Sequence, residues 1–129
     1  MNAMWTRSAR LVAFVSAVAL TACDSGPSGP GALEAIVTGE SLGGVLLQVE
    51  GRGIRGFDGL GDARVYAAAD AERPGRHRVI VISPGSGELR FSVEVDDLDM
   101  EGPSITVLQA TRVDDRLVTP SATTVRIVR

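Results

Sequence analysis

Apolar residues fall at every second position through Glu88–Asp96 (ELRFSVEVD), and a period of two admits one local structure. Leu89, Phe91, Val93 and Val95 lie on one side; Glu88, Arg90, Ser92, Glu94 and Asp96 lie on the other. Side chains of a strand point alternately to its two faces, so this segment predicts a strand with one face in a core and one in water. The same signal recurs in shorter form along the chain. Leu33–Thr38 alternates, and Val45–Glu50 puts Val45, Leu47 and Val49 on one face. Ala63–Ala68 is a weaker strand, with a helix as the alternative through 67–71. His77–Ser83 is a near-continuous β-branched run of the kind that marks a central strand covered on both faces.

Turn residues divide these segments. Pro84-Gly85-Ser86-Gly87 joins His77–Ser83 to Glu88–Asp96 and predicts a hairpin, because proline presets φ and glycine permits positive φ. Ser104–Val113 is a further strand, Asp114-Asp115 a turn, Arg116–Val118 a short return and Thr123–Val128 the closing strand. Gly51, Gly53 and Gly56 punctuate a segment whose Ile54 and Phe57 are expected to tuck under the domain edge. Seven to eight short strands, with no sustained helical period, predict an all-β antiparallel sandwich over residues 33–129. Aromatic residues make up 4% of the chain, so Val, Ile and Leu have to build the core.

The N-terminal quarter is organised differently. Residues 1–10 carry Arg7 and Arg10 and no acid, and Leu11–Leu20 (LVAFVSAVAL) is apolar throughout. A basic segment followed by a short apolar run is the secretory pattern; spanning a bilayer takes about 20 apolar residues. Leu20-Thr21-Ala22-Cys23 follows directly, and Cys23 is the one cysteine in the chain. This tetrapeptide resembles the lipobox of bacterial lipoproteins. The resemblance implies a signal peptide over 1–22, cleavage before Cys23, and a thioether-linked lipid on its sulfur. Two or three acyl chains, at about 0.8 kcal/mol per buried methylene, then hold the chain on a membrane. The alternatives are an ordinary secretory signal with an incidental thiol and an uncleaved anchor. Residues 23–32, rich in Gly, Pro and Ser, read as a lipidated flexible tether. The protein would therefore sit in the cell envelope, on the non-cytoplasmic face of the inner or the outer membrane. Asp24 is an inner-membrane retention signal in some lineages only, so the choice between the two stays open.

Charge narrows the partners. Beyond residue 22 there are eleven basic groups, all arginine, against sixteen acidic ones, a formal charge of −5. Nucleic-acid binding needs a basic face, so no nucleic-acid partner is expected. A protein or glycan partner in the envelope fits better. The strand pattern resembles immunoglobulin-like, cohesin-like and carbohydrate-binding β-sandwich modules. Its carriers are Gly44–Glu50, His77–Ser83, Gly87–Val95, Ser104–Ala110 and the terminal TVRIV strand. The exposed aromatic platforms of sugar binders are sparse, since only Phe57, Tyr66 and Phe91 remain beyond the signal.

Three groups of residues invite chemistry. Asp97, Asp99 and Glu101 offer carboxylates at alternate positions to a calcium ion, which takes six to eight oxygens; the competing reading is a solvated loop. His77 is the one histidine, flanked by Arg76 and Arg78, and is expected to be exposed at a strand end. The glycines from 51 to 61 have the density of a phosphate loop, yet neither a lysine nor a helical pattern accompanies them. No catalytic residue and no cofactor are assigned. The function expected is a non-catalytic envelope lipoprotein with a binding or structural sandwich. The alternatives are a small exported enzyme or accessory subunit, and a calcium-stabilised adhesion module.

Overall fold

The computed structural model describes residues 28–85 and 87–129. These form nine strands: β1 (Gly31–Thr38), β2 (Leu42–Glu50), β3 (Ile54–Gly59), β4 (Arg64–Ala69), β5 (Arg76–Ile82), β6 (Leu89–Val95), β7 (Ser104–Arg112), β8 (Leu117–Val118) and β9 (Thr124–Val128). One sheet runs β3-β6-β1-β9 and the other β4-β5-β2-β7-β8. Every pairing is antiparallel. The all-β sandwich is therefore the fold, with β3 an additional strand where a tucked segment was expected.

The core is the inward half of each alternating strand. β1 contributes Leu33, Ala35 and Val37, and β2 contributes Val45, Leu47 and Val49. β5 supplies Val79 and Val81, while β6 supplies Leu89, Phe91, Val93 and Val95. Burying those side chains removes roughly 1.5–3 kcal/mol worth of apolar exposure for each large one, which is what holds two sheets face to face.

Two connections alone are hairpins within a sheet, β4–β5 and β7–β8. The turn at Asp114-Asp115 is where the sequence puts it, with Asp115 at φ 65°. The expected β5–β6 hairpin does not form. β5 pairs with β2 and β4, whereas β6 pairs with β1 and β3, so the 83–88 connection arches from one sheet to the other. The reason is that Val79 and Val81 and the Leu89–Val95 set seal the core from opposite sides. The strands β2 to β6 nonetheless follow the B–C–D–E–F order of an immunoglobulin sandwich. The strand flanking β6 is β1, and that flanking β2 is β7, so the outer strands differ from that pattern.

β1 starts at Gly31, before the Leu33 expected as the first domain residue. Gly31 and Ala32 pair with Val95 and Glu94, and the Gly29 carbonyl accepts the Leu98 N–H at 2.8 Å. The end of the Gly/Pro/Ser segment is thus built into the domain.

Candidate interaction face

Outward-facing residues differ sharply between the sheets. On β3-β6-β1-β9 the outward isoleucine, Ile36, is 4% exposed. Register places Arg90 on one side of it and Arg126 on the other, so two arginine stems flank it while their charged heads stay in water. Arg90 also pairs with Glu34 on the same face. That sheet presents water mainly with charged side chains, Val128 on β9 being its exposed apolar exception.

The other sheet does the opposite. Strand pairing lines up Tyr66, Ile80, Leu46 and Gln109 in one row across β4, β5, β2 and β7. The adjacent row is Arg64, Ile82, Gly44, Thr111 and Leu117. Tyr66, Ile80, Ile82 and Leu117 are 57%, 42%, 46% and 71% exposed. β5 is therefore an interior strand, second from the edge of its sheet, and among the described residues it is covered on one face only, not both as its β-branched run suggested. Tyr66, Ile80, Leu46 and Ile82 adjoin in an apolar patch, with Leu117 apart from it beyond Gly44 and Thr111, and an adjoining apolar patch left in water is the kind of surface partners bind. Sequence reasoning missed it because a run such as VIVI looks the same whether or not a further layer covers its outer side.

At one end of the sandwich, the β2–β3 arch, the β4–β5 hairpin and the β6–β7 loop enclose an open cleft of about 770 Å³. Glu50, Arg52, Arg73, Arg76, Met100 and Glu101 line it. Arg76 is held by Asp70 at 2.9 Å and Glu50 at 3.8 Å. The Asp70 carboxyl lies below its ordinary pKa because the Glu72 backbone N–H, and then Arg76, stabilise its charged form. Three arginines and two glutamates line the cleft, and Arg76 is already paired, so both signs of charge are present there.

Of the residues singled out from sequence, Cys23 lies outside the described residues. His77 is not the exposed strand-end residue expected. Its position in β5 turns it inward with Val79, and its ring meets Phe57 edge-on at 5.3 Å. Its Nδ1 is buried and has no hydrogen-bond partner among the described residues. The half-buried ring packs against Phe57, which itself lies against the core.

Asp97, Asp99 and Glu101 share the β6–β7 loop, but among the described residues no three His, Cys, Asp or Glu side chains group as a metal ion would require. Asp97 Oδ1 instead accepts the N–H of Gly29 and that of Asp99, both at 2.9 Å. These two donors, Asp99 first, hold the Asp97 carboxyl below its ordinary 3.8. Asp97 thus clasps the entering chain to the domain. Asp97→Ala is expected to lower the melting temperature at neutral pH. The clasp favours the ionised form, so its contribution is complete above pH 3.8 and fades as pH falls through the lower folded-state value. Melts of wild type and Asp97→Ala at a series of pH values check this: a gap that stays constant down to pH 2 contradicts it.

No protein-family model matches the chain, and neither a curated protein nor a solved structure is significantly similar to it. Among the described residues no helix is long and apolar enough to cross a membrane.

Proposed function

We propose that this protein is an envelope lipoprotein, lipidated on Cys23, whose β-sandwich is a non-catalytic module that binds another protein. The observation that carries the binding half is the uncovered apolar patch of Tyr66, Ile80 and Ile82 on the five-stranded sheet. Burying such a patch against a partner removes apolar area from water, and the rims at Arg64 and Arg78 add polar contacts that fix orientation. The anchor half rests on the Leu20-Thr21-Ala22-Cys23 motif, with its basic segment and short apolar run. Gly29, where the described chain begins its contacts, lies six positions beyond Cys23, a reach of at most about 20 Å in extended form.

Mass spectrometry and fractionation of wild type against Cys23→Ser test the anchor. Wild type is expected in the membrane fraction with a lipid-sized mass increment, and Cys23→Ser in the soluble exported fraction without it. Wild type lacking the increment would end the lipoprotein reading. For the binding half, a photo-cross-linking side chain at position 80 is expected to capture a protein in intact cells, whereas one at Arg126 on the opposite sheet is not. Equal capture at both positions would remove the assignment to this face.

A further inference from the structure

The β4 edge of the same sheet carries an inference beyond that reading. A sheet edge exposes unpaired N–H and C=O groups, and proteins ordinarily blunt it with charge, proline, bulges or shortness. The other edges here are blunted. β3 carries a bulge between Ile54 and Gly56, together with Arg55 and Asp58. β8 is two residues long, and β9 has Arg126 at its centre. β4 (RVYAAA) has neither bulge nor proline; its one charged residue, Arg64, stands at the strand's start.

The direction of the free groups follows from one hydrogen bond. Asp70 N–H donates to the Arg76 carbonyl at 2.8 Å, so hydrogen-bonded pairs with β5 fall at 70/76, 68/78, 66/80 and 64/82. Val65, Ala67 and Ala69 therefore turn their N–H and C=O groups to an edge that no other strand among the described residues pairs with. Three residues at alternate positions form a self-complementary set. An antiparallel copy centred on Ala67 opposes Val65 to the copy's Ala69 and Ala67 to itself, and all the free groups find partners. Side chains agree with that register. Tyr66 faces Ala68 of the copy, large against small, and Arg64 faces Asp70 of the copy, positive against negative. Arg64 makes no ion pair within the chain among the described residues, and Tyr66 is 57% exposed.

We propose that two copies of this chain join edge to edge through β4, in that register, into one continuous ten-stranded sheet. The outer apolar patches of the two copies then become a single surface.

The test uses the full chain carrying Cys23→Ser, taken from the soluble exported fraction, so that an introduced cysteine is the one thiol. Ala67→Cys should give a dimer with a short thiol-specific cross-linker, because facing residues of a hydrogen-bonded pair lie about 5.5 Å apart. Leu117→Cys, at the opposite edge, should not. In sedimentation, Arg64→Glu should weaken the dimer about tenfold by setting like charges opposite each other twice. Ala67→Pro should abolish it while leaving the circular dichroism unchanged, since the N–H it removes points away from β5. Cross-linking at 67 no stronger than at 117, or wild type sedimenting as a monomer at high micromolar concentration, overturns the proposal. A folded Ala67→Pro that still dimerises overturns the β4 assignment.

Discussion

Phe91→Ala is expected to destabilise the protein by about 3–5 kcal/mol, the usual cost of emptying an aromatic site in a core. Phe91 is fully buried at the middle of β6, and β6 lies between β1 and β3 in its sheet. Among the described residues it is the largest fully buried side chain, and Phe57 leans on it with ring centroids 6.5 Å apart. Phe57 is the one aromatic ring beside it among the described residues and is fixed in β3, and the rest of the core is aliphatic, so the gap is refilled only in part. The melting temperature should fall by roughly 15–20 °C. Phe91→Leu, which keeps most of the volume, should cost about 1.5 kcal/mol or less. Thermal melts of the three proteins decide the matter: near-equal midpoints for wild type and Phe91→Ala would mean that the two sheets do not close on this residue.

Gly59→Ala should be the most damaging glycine substitution, at about 2–3 kcal/mol, because it overpacks a site that cannot give way. A Cβ there would lie 2.0 Å from the carbonyl oxygen of Ala63 and 2.7 Å from its carbon. Both are backbone atoms, so no side chain can rotate aside. The tight connection from β3 to β4, closed by the Ala63 N–H donating to the Leu60 carbonyl at 3.2 Å, has to open instead. Gly61, two residues on, gives the contrast. It sits at φ 63° with nothing within 4 Å of a Cβ, so alanine there should cost only the left-handed backbone term of roughly 1–2 kcal/mol. Urea unfolding of both variants separates crowding from conformation: a Gly61→Ala effect equal to or larger than that of Gly59→Ala would reverse the reasoning.

Within each strand, the sequence was a sound guide. The Leu89, Phe91, Val93, Val95 set and the Val45, Leu47, Val49 set both face the core, because a period of two is a property of the backbone itself. The Asp114-Asp115 turn was legible for the same local reason. Pairing was less so. A strand's alternation says which side faces inward and leaves open which sheet the strand joins, so the Pro84–Gly87 segment reads as a hairpin when it is an arch between sheets. β3 was missed because Gly56, Gly59 and its charged residues break the apolar alternation.

The candidate face and the residues singled out for chemistry show the same division. Asp97 was noticed as one carboxylate among several, but its task of holding Gly29 depends on a contact across 68 positions of chain. His77 stands between two arginines in sequence, yet Phe57, from the other sheet, supplies the surface its ring rests on. The sequence by itself determined a β-sandwich core of aliphatic residues, an acidic domain and the motif at Cys23, since composition, period and short-range spacing are local quantities. Only the tertiary structure decided which strands are neighbours, which isoleucines stay in water and which edge is left open. Those depend on what lies on the far side of each sheet, and no stretch of sequence carries that information by itself.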